Sequence, residues 1–238
     1  MLGLVAVAGI VLLATQLGGG GGGRATTAPV QVLIDSVELQ RTPGISLGNA
    51  NAPVVLFEFA DFQCPGCGSF ARFVTPVVKD RWVKEGTVRF VFYDFPLVNI
   101  HPNAFLAARA GRCANEQERF WQYHDVLYGQ QPQWSSEAEP VGQFIDYAEQ
   151  VGADRGRFTE CIRSDRYARE ITQSMRFAES LGVNGTPTLF INGKRVQDMP
   201  NPQQLGQLIE AELAGMGRSP EAAPAAADSA PADSAGAR

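Results

Sequence analysis

Two cysteines stand three residues apart in Cys64-Pro65-Gly66-Cys67, where the β-branched and aromatic run Pro53 to Phe62 gives way to a helical pattern. Thiols at that spacing on a helix share one face and lie near enough to form a disulfide. The first falls at the helix N-terminus, where unpaired amide N–H groups and the macrodipole favour an anion. Cys64 is therefore expected to be acidified well below the value of about 8.5 of a free thiol, and the thiolate is the attacking species. Pro65 suits the first helical position, having no N–H to leave unpaired and a φ that is already helical. Gly66 adds no side chain, so backbone amides can face the Cys64 sulfur. Cys67, one turn in, is expected to be more buried and to act as the resolving thiol. The pattern favours redox chemistry over a zinc half-site or a pair of inert core cysteines. Zinc needs two further ligands, and Cys113, Cys161, His101 and His124 form no second close pair.

Two other stretches bear on that chemistry. Gly182-Val183-Asn184-Gly185-Thr186-Pro187-Thr188 leads into the apolar run Leu189-Phe190-Ile191, and Asn192-Gly193 is a turn dipeptide that closes a hairpin onto Arg195-Val196. A proline opening a strand after a glycine-containing loop is a candidate for a cis bond, which X-Pro peptides adopt only at placed positions. Glu58 interrupts Val54-Val55-Leu56-Phe57-Glu58-Phe59, a run that otherwise reads as a strand buried on both faces. A carboxylate there is poorly solvated, so its pKa is expected to rise and make it a proton acceptor for Cys67 during exchange. The competing reading puts Glu58 at a strand edge, paired with an arginine.

Cys64-Pro-Gly-Cys67 after a strand, Thr186-Pro187-Thr188 before a strand and the helix-rich segment between them resemble the DsbA-like thiol-disulfide oxidoreductases of bacterial envelopes. The likeness runs over roughly residues 45 to 214, and Phe120-Trp121-Gln122-Tyr123-His124-Asp125 resembles a family signature in the inserted helices. The resemblance implies an α/β thioredoxin fold with a helical insertion over about 100–181. It implies Cys64 as nucleophile, Cys67 as resolving thiol, Pro187 as a cis-proline beside the sulfurs, Glu58 as the buried acid beneath them, and Thr186 and Phe62 as substrate-binding residues. It implies no cofactor and no metal. Its partners are reduced or misoxidised substrate proteins and a membrane redox partner that recycles the disulfide. Direction is expected to be oxidation, with reduction or isomerisation through the same cysteines as the alternative; from another class, a chaperone module would hold peptides at the Thr186-Pro187 edge. The family's strongest oxidase has histidine where this chain has Gly66. Some members carry a second disulfide, and Cys113 and Cys161, both on apolar helix faces, are expected to form it rather than remain two buried thiols. Cys113 shares heptad spacing with Leu106, Phe120 and Leu127, and Cys161 lies beside Phe158 and Ile162. His101 and His124 read as packing or capping residues.

Composition sets the frame. The chain has 238 residues, 45% of them hydrophobic, enough to bury one full core. A net charge of -5 without a basic cluster argues against a nucleic-acid partner. Residues 1–17 read as a signal peptide or membrane anchor: Leu2 to Leu17 is nearly continuous apolar sequence, followed by a glycine run from Gly18 to Gly23. Residues 18–44 read as a Gly-rich linker and lead-in, 45–214 as the folded domain, and 215–238 as an Ala/Pro-rich disordered tail. The expected location is the bacterial envelope, outside the cytoplasm, with N-terminal membrane anchoring as one option.

Positioning the cysteines takes the order βαβ, helical insertion, then ββα. Val30 to Gln40 reads as a strand or ordered lead-in, Pro53 to Ala60 as the central strand, and Cys64 to Glu85 as a helix kinked at Pro76. Thr87 to Tyr93 alternates as the next strand. Helices follow over Asn103–Tyr128, Val141–Val151, Arg155–Ile162 and Arg166–Leu181. Thr188–Ile191 and Arg195–Val196 form the final hairpin, and Pro202–Leu213 the closing helix, with Asn201 as N-cap.

Overall fold

The computed structural model describes residues 42–216, so the apolar segment, the glycine run, Val30–Gln40 and residues 217–238 lie outside the described residues. Among the described residues no helix is long and apolar enough to cross a membrane. Five strands form one mixed sheet: β1 (Ile45–Leu47), β2 (Val54–Ala60), β3 (Val88–Asp94), β4 (Thr188–Ile191) and β5 (Lys194–Arg195), in the order β1-β3-β2-β4-β5. β2 runs parallel to β3 and antiparallel to β4, which leaves it covered on both sides as well as both faces. That placement is why its sequence is apolar at nearly every position rather than alternating. Odd residues Phe57 and Phe59 pack with Tyr93, Phe177 and Phe190. Even residues Val54 and Leu56 pack on the other face with Phe70, Val74, Trp82 and Leu205.

Helix α1 (Pro65–Phe73) starts directly after Cys64, which is its N-cap residue, with φ -70 and ψ 123. Pro65 occupies the first turn, where its missing N–H costs no intrahelical bond. The continuous kinked helix expected over Cys64–Glu85 is instead α1, a second short helix α2 (Thr75–Val78) and a π-turn over Lys79–Val83. Pro76 lacks the N–H that would have bonded back to Arg72, and the break falls at Val74, two residues before it. The inserted helices are α3 (Ala104–Asn115), α4 (Phe120–Gly129), α5 (Gln131–Trp134), α6 (Val141–Gln150), α7 (Arg155–Arg163) and α8 (Ala168–Ser180). The heptad row Leu106, Cys113, Phe120 and Leu127 is divided between α3 and α4, because the chain turns at Glu118, whose φ is 59. Local pattern carries across such a turn without revealing it.

Asn192 and Gly193, with φ of 48 and 78, make the β4–β5 turn that an Asn-Gly pair favours. The closing helix α9 (Pro202–Met216) opens with a reciprocal cap: Gln204 N–H donates to Asn201 Oδ1 at 2.9 Å, and Asn201 N–H to Gln204 Oε1 at 2.9 Å. It runs through Met216, so Gly215 and Met216, expected in the tail, complete the helix. β1 and α5 had no counterpart in the sequence pattern; each is four residues or shorter.

Cys113 on α3 and Cys161 on α7 are joined by a disulfide with Cα atoms 5.8 Å apart. Both are buried among Tyr123, Phe144 and Phe158 in the core of the insertion. The bond closes a sequence separation of 48, and the chain-entropy account gives such a loop about 4 kcal/mol. A bond buried between helices resists thiols that reduce an exposed one. When the oxidised native protein is treated with mild reductant and then denatured, without further reductant, for alkylation and peptide mapping, Cys64 and Cys67 are expected to take label. Cys113 and Cys161 should take label only after denaturation with reductant. Their alkylation in denatured protein that was never reduced contradicts the bond.

Candidate active site

The two thiols of the Cys-x-x-Cys differ sharply in environment. Both are free in the structure. Cys64 keeps 8% of its surface exposed, whereas Cys67 is fully buried. The Cys64 thiol is pushed down from an ordinary value near 9 to about 5. The Cys67 thiol, donating to the Cys64 sulfur, contributes most; burial opposes it, and the Thr186 hydroxyl and the amides of Cys67 and Gly66 add to the lowering. Those amides are the unpaired donors of the α1 N-terminus, as the placement at a strand-to-helix junction predicts. Cys67 moves the other way, well above the ordinary thiol range: burial raises it, as do its bond to Cys64 and the negative charges of Cys64 and Glu58.

Pro187 forms a cis peptide with Thr186, the residue whose carbonyl faces the Cys64 thiol. A Cβ at Gly66 would meet Pro187 Cδ at 3.1 Å and Cys64 Sγ at 3.6 Å, so the helix start and the proline loop are in contact through that glycine. A histidine at this position needs the proline loop to yield by a few tenths of an ångström. Thr186 contributes two groups. Its carbonyl accepts from the Cys64 thiol at 3.3 Å, and its buried hydroxyl, which makes no hydrogen bond among the described residues, is near enough to lower the Cys64 pKa. That carbonyl is thus engaged by Cys64 while that residue is a thiol, and released when it ionises.

Glu58 sits on the central strand, paired with Phe92 on β3 and Leu189 on β4. It is fully buried on the central strand and, among the described residues, neither carboxylate oxygen has a hydrogen-bond partner, which overturns the edge-strand, arginine-paired reading. Its pKa is raised to about 8, chiefly by burial and then by the Cys64 charge, with Lys79 pulling it down. Phe62, expected to bind substrate, is instead 1% exposed and packs inward against Phe92 and Tyr128, with ring centroids 5.2 and 4.9 Å away. It lies beyond the end of β2, where strand alternation no longer tells which way a side chain points.

Several residues without a distinctive motif complete the site. Gln131, on the short helix α5, donates to the carbonyls of Phe62 at 2.7 Å and Cys64 at 2.9 Å and so fixes the backbone leading into the Cys-x-x-Cys turn. Gln63 Nε2 reaches Ser135 O at 2.7 Å, and Gln63 Oε1 accepts from Asn103 N–H at 2.7 Å. Asp61, fully buried, pairs with His101 at 2.6 Å. The one sequence signal for Asp61 was a charged residue inside an apolar approach to Cys64. His124 is buried in an aromatic cage with Phe62, Phe92 and Tyr128, the packing role read from its helix. A cleft of about 260 Å³ is lined by Thr186 to Leu189 and by Arg195 to Met199. A larger cleft of about 620 Å³ between β5 and α9 contains none of the cysteine-site residues.

Comparison with known proteins places this arrangement. A family profile described as Thioredoxin matches residues 40–211. The oxidised crystal structure of BdbD from Bacillus subtilis superposes with a TM-score of 0.67 at 24% identity, covering 74% of this chain and 95% of that one. The oxidised crystal structure of Mtb DsbA superposes with a TM-score of 0.60 at 24% identity, covering 71% of this chain and 92% of that one. Disulfide bond formation protein D of Bacillus subtilis is 26% identical over 71% of this chain and 77% of its own length. A Salinispora tropica protein named Na(+)/H(+) antiporter NhaA 3 is 36% identical over 73% of this chain but only 25% of its own length. The chain thus spans about a quarter of the antiporter relatives it matches.

Proposed function

The chain belongs to the thioredoxin family and has the fold of its DsbA-like members, and from that premise we propose that it is an exported protein thiol-disulfide oxidoreductase that donates its Cys64–Cys67 disulfide to substrate proteins. The observation that carries this reading is the opposite displacement of the two thiols, one held near 5 and its neighbour held well above the ordinary range. A substrate thiolate attacks Cys64 Sγ, the Cys64–Cys67 bond breaks, and Cys67 leaves with the electron pair. Glu58, protonated at neutral pH by virtue of its burial, supplies the proton that Cys67 takes up. A second substrate thiolate then attacks the substrate sulfur of the mixed disulfide, forming the new disulfide and releasing Cys64 as a thiolate. A leaving thiolate with a low pKa departs readily, and stabilising the reduced form makes the disulfide a stronger oxidant.

The cleft beside Thr186 and Pro187 gives an extended substrate a place next to the nucleophile. A buried second disulfide is the usual mark of an oxidising compartment, which supports a position outside the cytoplasm. The antiporter relatives join a segment like this one to a longer chain named for a membrane activity, which fits work at a membrane surface and recycling by a membrane redox partner. Reduction or isomerisation uses the same atoms in another direction, so the potential decides.

The helix-terminus amides stabilise the Cys64 thiolate, but position 66 has no imidazole to add to them. A value between about -120 mV and about -270 mV, in the oxidising half, is therefore expected. The test is refolding of a reduced, denatured multi-disulfide protein beside rescue of a scrambled one. Fast oxidation with poor unscrambling supports donation. Efficient unscrambling, or a potential near the lower figure, assigns the isomerase or reductase role.

A further inference from the structure

Asp61 joins three segments of the active-site turn. Its buried carboxylate accepts from Gln63 N–H on Oδ1 at 2.7 Å, and on Oδ2 from Leu97 N–H at 2.8 Å and His101 Nδ1 at 2.6 Å. Its main chain reaches the two cysteines: the carbonyl accepts from Cys64 N–H at 3.0 Å, and the N–H points at Cys67 Sγ at 3.5 Å. The rotation of the Asp61 residue therefore sets where that N–H is aimed. Two of the three anchors are backbone amides. The third is the His101 imidazole, whose side chain is 17% exposed and whose loop is tied to the site by the Asn103–Gln63 bond.

An N–H aimed at sulfur matters most when the sulfur carries charge, since a hydrogen bond to an ionised acceptor is roughly twice as strong as one between neutral groups. Cys67 carries charge only in transit. When a mixed disulfide on Cys64 closes, the Cys67 thiolate attacks Cys64 Sγ, the Cys64–Cys67 bond forms, the bond to the partner sulfur breaks, and the partner leaves as a thiolate. Opening is the reverse and passes through the same transition state. Resting on the exchange reading above, we infer that the Asp61 amide is a catalytic group that stabilises charge on Cys67 Sγ, and that His101 is the positioning residue that keeps it aimed. The Nδ1–H that makes this bond is present on a neutral ring of that tautomer as well as on a charged one.

The test uses the full chain carrying a glutathione mixed disulfide on Cys64, with closing followed by release of glutathione and opening by attack of added glutathione. His101→Leu is expected to slow closing and opening alike, each about tenfold, as loss of one charge-assisted contact implies. His101→Asn places its amide nitrogen where Nδ1 stands and should restore most of the rate. His101→Gln places nitrogen nearer the Nε2 position and should stay slow. The pH profile of Cys64 alkylation should be the same in all four proteins. Should His101→Leu fail to fold, the contrast between Asn and Gln carries the same test. Equal closing rates throughout, or rescue by Gln as good as by Asn, overturn the positioning role while leaving exchange intact. A wild-type protein that exchanges no glutathione overturns the exchange reading, and this role with it.

Discussion

Cys64→Ser is expected to abolish exchange with every thiol substrate, whereas Cys67→Ser is expected to accumulate mixed disulfides between Cys64 and its substrates. The contrast comes from position along the same helix turn. Cys64 is the N-cap residue and keeps 8% of its surface exposed, and Cys67 lies inward with none of its surface exposed. A substrate sulfur can therefore reach Cys64 alone, and removing it leaves no site of attack. With serine at 67 the attack on Cys64 still proceeds, but the internal thiol that would expel the substrate is gone. Iodoacetamide alkylation of Cys64 should rise with pH about a midpoint near 5, since that is where its thiol is held. Non-reducing gels of Cys67→Ser after incubation with reduced proteins should show the adducts. An alkylation midpoint at the free-thiol value, or adducts on Cys67 in the Cys64→Ser protein, would contradict the assignment of nucleophile.

The second large effect belongs to Glu58→Gln. Glutamine keeps the shape but neither donates a carboxyl proton nor acquires charge. Opening of the disulfide by a thiol is expected to slow on the order of 10², the lower range for loss of a general acid, because Cys67 then leaves without a proton source. Stability should change in the opposite sense. The folded-state pKa of Glu58 is raised to about 8 from 4.5, so the native state holds this proton over a range in which the unfolded chain has lost it. Stability thus falls as pH rises from about 4.5 through 8, by an amount on the order of 5 kcal/mol for a shift of that size. The oxidised protein is the form to use, because Cys64 does not titrate there and burial, the largest cause, remains. Urea melts of the oxidised wild type should lose stability between pH 5 and 8, and those of Glu58→Gln should lose much less. Parallel profiles for the two proteins would show that Glu58 is not held as a buried acid.

The charge at Glu58 illustrates how far pattern alone carries. An unbroken apolar strand with one carboxylate in it implies burial, because a central strand between two neighbours has no wet face. The absence of any partner for that carboxylate belongs to the packing above it, which the strand sequence does not contain. Phe62 shows the opposite case. Two residues past the last residue of β2, its direction depends on how the chain bends into α1, and the structure turns it into the aromatic core.

What the sequence by itself determined are the features made by neighbours in the chain: Cys64 at a helix start with Pro65 in the first turn, the Asn192-Gly193 turn, the Asn201–Gln204 cap and the two-face burial of β2. Each depends on spacing and backbone geometry over a few residues, which residue types report directly. Only the tertiary structure decided that Gln131 holds the Cys64 carbonyl from 67 residues away, that Asp61 and His101 meet across 40, and that α3 and α4 separate at Glu118. Such contacts form between segments brought together by burial of the core. A glutamine, an aspartate or a histidine carries no mark of the partner it will find there, because the hydrophobic effect that assembles the segments is non-directional.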